Sequence, residues 1–299
     1  MARPSIMVAS RALGMQAVYR SPLHRPNVDY HGCMPAPNAT PSLVAVDVGH
    51  SRTAVAPVVH GSIQDPVPVD DQSLECMMQA IQTALARLPA DEPRPIVLAS
   101  VNEPLGERLC SALRDQMTDD VYIIGEDLPI ELRLQLAPEA VPGVDRLLGA
   151  IAAWDTMQQA CVIVDAGTCV TVDFVDGEGT FHGGGIAPGV RMQLDAMHAG
   201  TSTLPELNPC PPDETEPFGR STADAMQLGV FAGTRGLVRN LTERYATAYD
   251  AWPPIIATGG DADSLFRNDD LVDRIVPDLV LRGIAVAAAR VLTPGDKAT

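Results

Sequence analysis

Residues 161–174 read CVIVDAGTCVTVDF: four apolar residues, then Asp165, Ala166, Gly167 and Thr168, then a second apolar run. Short β-branched runs broken at a glycine predict two buried strands that meet at a tight turn. The crease between them carries a carboxylate, a glycine and a hydroxyl. A glycine after a strand lets backbone N–H groups come close to an anion, a hydroxyl adds a donor, and an Asp can hold the cation that neutralises phosphate charge. A plain hairpin, with Asp and Thr capping turn amides, accounts for the same residues without any ligand.

The pattern occurs twice. Residues 43–53, LVAVDVGHSRT, run an apolar strand into Asp47, Gly49, His50 and Ser51, and a third glycine turn stands in ATGGDA, residues 257–262. Two facing creases with a glycine turn beside them make a clamp for a polyphosphate, a stronger reading than either crease supports alone. The familiar routes to nucleotides are missing, since the sequence holds no G-x-x-x-x-G-K-[ST] and no strand-linked G-x-G-x-x-G.

Strands alternate with helical spacing around these creases, which predicts an α/β fold. Apolar residues at 74, 77, 78, 81, 85 and 88 predict a helix over 71–88, followed by a buried strand at 95–101 and an amphipathic helix over 102–117 opened by Asn102. A strand at 121–124, an extended run at 130–136 and a helix over 144–157 complete a first half, 43–158. The second half, 159–299, has two strands in 161–175, a turn at 176–179 and a glycine-rich strand exit at 183–188. Helices follow over 190–199, 221–245, 261–266 and 279–292, with 255–261 crossing from strand to helix. Met226, Val230, Phe231, Leu237 and Leu241 form a stripe that serves equally as core or as a face for a partner. Residues 1–42 carry six prolines, four arginines and one acid without apolar periodicity or a cleavable apolar leader, and predict a disordered extension.

Composition narrows the function. With 21 basic and 38 acidic residues the formal charge is −17, which disfavours binding to nucleic-acid phosphates or anionic membranes. Six scattered cysteines show no C-x-x-C and no zinc spacing, so a reducing, cytoplasmic setting is expected. No apolar run approaches the roughly 18 residues that span a bilayer. A small-molecule substrate is the better match.

The three-part arrangement resembles the actin, sugar-kinase and heat-shock-chaperone ATPase superfamily. The ordered motifs DVGHSR (47–52), PGVDR (142–146), DAGTCVTVDF (165–174), GGGIAPGV (183–190), TSTLP (201–205), GRST (219–222), ATGGDA (257–262) and DLVLRG (278–283) resemble those of type III pantothenate kinases, over about 43–292. That resemblance implies an α/β fold of two duplicated ribonuclease H-like domains with a nucleotide cleft between them. It implies phosphorylation of the pantothenate hydroxyl by ATP, with Mg²⁺ and a monovalent cation, K⁺ or NH₄⁺, in a homodimer without nucleic-acid or membrane partners. Asp145 matches the family's proton acceptor, a role that fits an alcohol that needs a carboxylate to become a nucleophile. Gly143, Val144, Asp145 and Arg146 match the pantothenate-binding motif, with Arg146 facing the substrate carboxylate, and Thr201 matches a threonine supplied from the neighbouring subunit. Asp47, Val48, Gly49, His50, Ser51, Arg52, Thr53 and Ala54 match the first phosphate loop, Thr168 the ATP contact in the second, and Asp165 the ligand of the monovalent cation. For Asp145 a helix cap, for Asp165 a turn-amide acceptor and for Thr201 a helix-ending hydroxyl are the purely structural alternatives.

Three features depart from the family pattern. His50 stands where asparagine is usual, Leu136 or Gln135 where a substrate-contacting tyrosine is usual, and the segment 138–143 is one residue longer. They leave open two other functions: a superfamily kinase for a different small alcohol, and a weakened relative acting as a regulatory or binding protein.

Overall fold

The computed structural model describes residues 41–70 and 73–292, so the expected extension lies outside them apart from Pro41 and Ser42. Two six-stranded sheets organise the chain. The first runs β3 (Ser62–Ile63), β2 (Thr53–Val59), β1 (Leu43–Val48), β5 (Ile96–Ser100), β6 (Val121–Ile123), with β4 (Val67–Val69) on β2. The second runs β12 (Arg274–Ile275), β11 (Ile255–Thr258), β8 (Cys161–Ala166), β9 (Cys169–Val175), β10 (Thr180–Pro188), β7 (Arg133–Leu134). In each sheet the strand that ends in Asp-x-Gly pairs antiparallel with the strand after it and parallel with a later one: β1 with β2 and β5, β8 with β9 and β11. The hairpin arms over 53–69 carry no helical periodicity and were not expected from the sequence, and the run at 130–136 pairs only through two residues on the sheet edge.

Helices cover both faces of each sheet. Helices α1 (Leu74–Leu85) and α2 (Glu103–Gln116) pack Met77, Ile81, Leu109 and Leu113 on Val44, Val46 and Val48. Ser73 opens α1 by accepting from the Cys76 amide, which sets its start three residues inside the predicted span. On the second sheet, α4 (Val190–Ala199), α5 (Thr222–Tyr249) and α6 (Ala262–Phe266) cover Val162, Val164, Val170 and Val172. Met226, Val230 and Phe231 of α5 lie in that core, so for these three the intrachain reading of the stripe holds. A capping box between Ser221 and Asp224 starts α5.

The inner layer is shared. Helix α3 (Val144–Met157) sends Leu148 and Ile151 to the first sheet and Ala150, Ala152 and Ala153 to the second, so one helix is packed between them. Beside it α7 (Leu279–Leu292) comes from the second half of the chain yet packs on β1, and β7 from the first half edges the second sheet. Gly283 of α7 lies directly on the Leu148 carbonyl, a crossing too close for any Cβ. Fully buried Leu, Ile and Phe side chains such as Leu148, Ile81 and Phe181 each contribute about 1.5–3 kcal/mol to holding these layers. Among the described residues no helix is long and apolar enough to cross a membrane, and the described cysteines are free thiols.

Candidate active site

Strand alternation places the acids. Along β1, Val44, Val46 and Val48 face α1 and α2 while Leu43 and Ala45 face α3 and α7; Asp47 takes the next inward position. Along β8, Val162, Val164 and Ala166 face α5 while Cys161 and Ile163 face α3, and Asp165 takes the corresponding inward position. Both carboxylates therefore sit at the carboxyl ends of their strands on the α3 side. The first turn of α3 brings Asp145 to meet them.

The electrostatics record that meeting. Burial is the main cause that raises Asp47 to about 7, and the charges of Asp165 and Asp145 push in the same direction, while Arg52 opposes them. Asp165 is likewise raised to about 7 by burial and by Asp145, again opposed by Arg52. Asp47, Asp145 and Asp165 thus share one field, opposed at the two inward acids by Arg52.

The creases themselves touch. Ser51 Oγ lies 2.7 Å from Thr168 Oγ1, a hydrogen bond from one sheet's turn to the other's. Gly49 N–H donates to Arg52 O at 3.1 Å and Gly167 N–H to Cys169 O at 2.9 Å, which closes both turns. The third glycine turn is packed on the second crease: Asp261 N–H donates to Ala166 O at 2.9 Å, and Gly259, at φ +92°, lies against Ala166 O and Asp165 Oδ1 where a Cβ has no room. Arg52 reaches across to Gly260, where an added Cβ would stand 2.9 Å from Nη1. Burial raises Asp261, and Arg52 and Arg191 act against that rise.

The expected loop 47–54 divides by role. Gly49, His50, Ser51 and Arg52 form the turn, whereas Val48 is core and Thr53 is fully buried with its hydroxyl donating to Met77 Sδ at 3.3 Å. Ala54 pairs with Asp47 across the hairpin. On α3, Val144 packs into the core, and Asp145 Oδ1 accepts from the Arg146 amide at 2.7 Å over Gly143, where a Cβ would stand 2.5 Å from that oxygen. The Arg146 guanidinium is tied to Asp173 of β9, Nε donating to Oδ2 at 3.0 Å and Nη2 to Oδ1. Thr201, at the end of α4, donates to Met197 O at 2.9 Å and accepts from the Leu204 amide at 3.3 Å, both local contacts. Leu136 packs among Phe181 and its neighbours. Asp173 was not singled out from the sequence; the signal was there, an acid at an inward position of a buried strand whose other polar residue is Thr171.

A family model described as type III pantothenate kinase matches residues 43–244, two thirds of the chain. The chain belongs to the type III pantothenate kinase family. A type III pantothenate kinase of Rhodopirellula baltica is 34% identical over 272 residues, 81% of this chain and 96% of the relative. One of Syntrophotalea carbinolica is 26% identical over 83% of this chain and 98% of its own length. Among solved structures, a Campylobacter jejuni protein provisionally named a Baf family transcriptional activator superposes with a TM-score of 0.52 at 22% identity, over 83% of this chain and 98% of that one. A Sinorhizobium meliloti protein provisionally named a 2-dehydro-3-deoxygalactonokinase superposes at 0.51 and 16% identity, over 85% and 100%. At those identities the likeness speaks for the fold alone, an α/β architecture of two sheets with helices between. Pantothenate kinase family membership covers both creases and the Asp145 motif; the glycine turn at 257–262 and α7 lie beyond the matched segment.

Among the described residues no three His, Cys, Asp or Glu side chains are close enough to hold a metal unaided. In this family member the inward acids still fit a cation. Two partly shielded carboxylates that repel each other leave negative charge that Arg52 alone does not balance. A cation there would draw its remaining ligands from phosphate oxygens and water.

Proposed function

We propose that this chain transfers the γ-phosphoryl group of ATP to the pantothenate hydroxyl, yielding 4'-phosphopantothenate and ADP, the first step of coenzyme A biosynthesis. The observation that supports the reading is that Asp47, Asp145 and Asp165 lie within one another's electrostatic reach, at strand and helix ends beside two turns joined by Ser51 and Thr168. The lobes 43–158 and 159–299 hold the nucleotide between them, with residues 49–52 and Thr168 on the phosphates. Asp145 removes the hydroxyl proton as the oxygen bonds to phosphorus and the bond to the bridging β–γ oxygen breaks, releasing ADP.

The charge balance supports the cofactors. Asp165 would hold the monovalent cation, and that ion together with the Mg²⁺ bound to ATP would supply positive charge to offset the phosphates. Arg146 faces the pantothenate carboxylate while Asp173 holds it, and a homodimer brings Thr201 from the partner subunit. We place this enzyme in the cytoplasm, a location in keeping with the scattered free cysteines among the described residues.

A coupled assay tests the reading. ADP release should require pantothenate, rise with K⁺ or NH₄⁺, and vanish in Asp145→Asn. ATP hydrolysis that ignores pantothenate, or no turnover at all, sinks it.

A further inference from the structure

The Arg146–Asp173 pair does more than fill space. Asp173 is one of few acids in the interior, its side chain 2% exposed in the middle of β9, and Arg146 is 14% exposed. An unpaired carboxylate at that depth is costly, and a single bidentate arginine is the geometry that offsets the cost while fixing direction. The surroundings are shaped for it. Gly184 of β10 lies on the Val172 carbonyl and would place a Cβ 2.7 Å from Asp173 Oδ1, so the middle glycine of GGGIAPGV makes room for the carboxylate. The Phe181 ring lies 5.7 Å under the Arg146 guanidinium, and Arg146 and Thr171 act against the rise that burial causes at Asp173.

Arg146 in turn holds its neighbour. Its backbone N–H donates to Asp145 Oδ1 at 2.7 Å, so the guanidinium that ties Arg146 to β9 anchors the helix turn on which the Asp145 carboxylate rests. The connection runs from the centre of the second sheet through one guanidinium into the first turn of α3.

We infer that Asp173 is a positioning residue of the acceptor side: through its bidentate hold on Arg146 it sets where the Asp145 carboxylate stands. The inference rests on the kinase reading above and adds to it a residue that touches neither ATP nor acceptor. A base displaced by about 1 Å loses on the order of 10²-fold in rate, so the effect should fall on turnover and spare nucleotide binding.

The test uses the full-length chain with ATP and pantothenate. Asp173→Asn, which keeps the volume and removes the charge, should lower kcat about 10²-fold while KM for ATP and nucleotide affinity in a direct titration stay near wild type; intact nucleotide affinity also reports that the variant folds. Asp173→Glu, which keeps the charge, should retain more turnover than Asp173→Asn. Arg146→Ala should lose comparable turnover and regain it severalfold in sub-denaturing guanidinium chloride, but not in sodium chloride, because the ion can seat on Asp173. In the Arg146→Ala, Asp173→Asn double variant guanidinium should restore nothing. Unchanged kcat in Asp173→Asn, a parallel loss of ATP affinity, or guanidinium rescue that persists without Asp173 overturns the inference alone. A wild-type chain without pantothenate-dependent ADP release overturns the functional reading, and the inference falls with it.

Discussion

The two creases have the same scaffold and different equipment. Each is an antiparallel hairpin with an inward Asp one residue before the first strand ends, and each has a parallel neighbour on its other side. Between β1 and β2 the turn spans residues 49–52 and carries Ser51 and a long cation, Arg52. Between β8 and β9 it spans only residues 167–168, carries Thr168, and leans on Gly259 of the next strand's exit. The first crease therefore supplies positive charge to the site, and the second supplies close backbone approach with an acid and no cation of its own. A repeated hairpin thus carries two different sets of side chains, with the arginine on one crease and the close glycine packing on the other.

The largest test of that division removes the group that belongs to neither crease. Asp145→Asn should reduce turnover by about 10²–10⁴-fold with nucleotide affinity preserved, the range for loss of a positioned general base; loss of nucleotide affinity instead would make Asp145 part of the clamp. Next, Gly259→Ala should destabilise the chain by about 2–4 kcal/mol in chemical denaturation, since the position combines positive φ with backbone and carboxylate contacts on the second crease. The change at the adjacent glycine of the same turn, Gly260→Ala, meets the movable guanidinium of Arg52 from the first crease and should cost far less.

The pH dependence probes the acids themselves. Asp47 and Asp165 are held at about 7, above the ordinary carboxylate value of 3.8, so folding favours their protonated forms. Stability from this source is full below about pH 4 and is lost as pH rises through about 7. Thermal melts of the nucleotide-free chain should show a midpoint several degrees lower at pH 8 than at pH 5.5, with the difference reduced in Asp47→Asn. A smaller effect is expected from Arg52→Ala: KM for ATP should rise about tenfold, one charge-assisted contact being worth ~1.5–3 kcal/mol, with kcat less affected. Smallest of all, Ser51→Ala removes a solvent-exposed bond to Thr168 and should cost about 0.5–1 kcal/mol in nucleotide affinity.

Much of this was legible from the chain because periodicity and turn chemistry are local. The helices 144–157, 190–199 and 279–292 have the bounds that apolar spacing and flanking glycines or prolines imply, and both creases stand where an apolar run meets Asp-x-Gly. The hairpin arms over 53–69 were not legible, because TAVAPVV and VPV are short and interrupted by proline and become strands only by pairing with β1 and with each other. Arg146 and Asp173 were both visible as residues, yet nothing in their 27-residue separation says that one holds the other.

Sequence alone, then, determined the main helices, the buried strands that run into the creases, and that two acidic glycine turns recur at the ends of those strands. These follow from side-chain size, polarity and backbone freedom within a few residues. Only the tertiary structure decided that α3 is packed between the two sheets, that strand alternation turns Asp47 and Asp165 towards its first turn, and that Asp173 takes the fork of Arg146. Those facts depend on which faces are buried against each other, and burial is a property of the assembled layers.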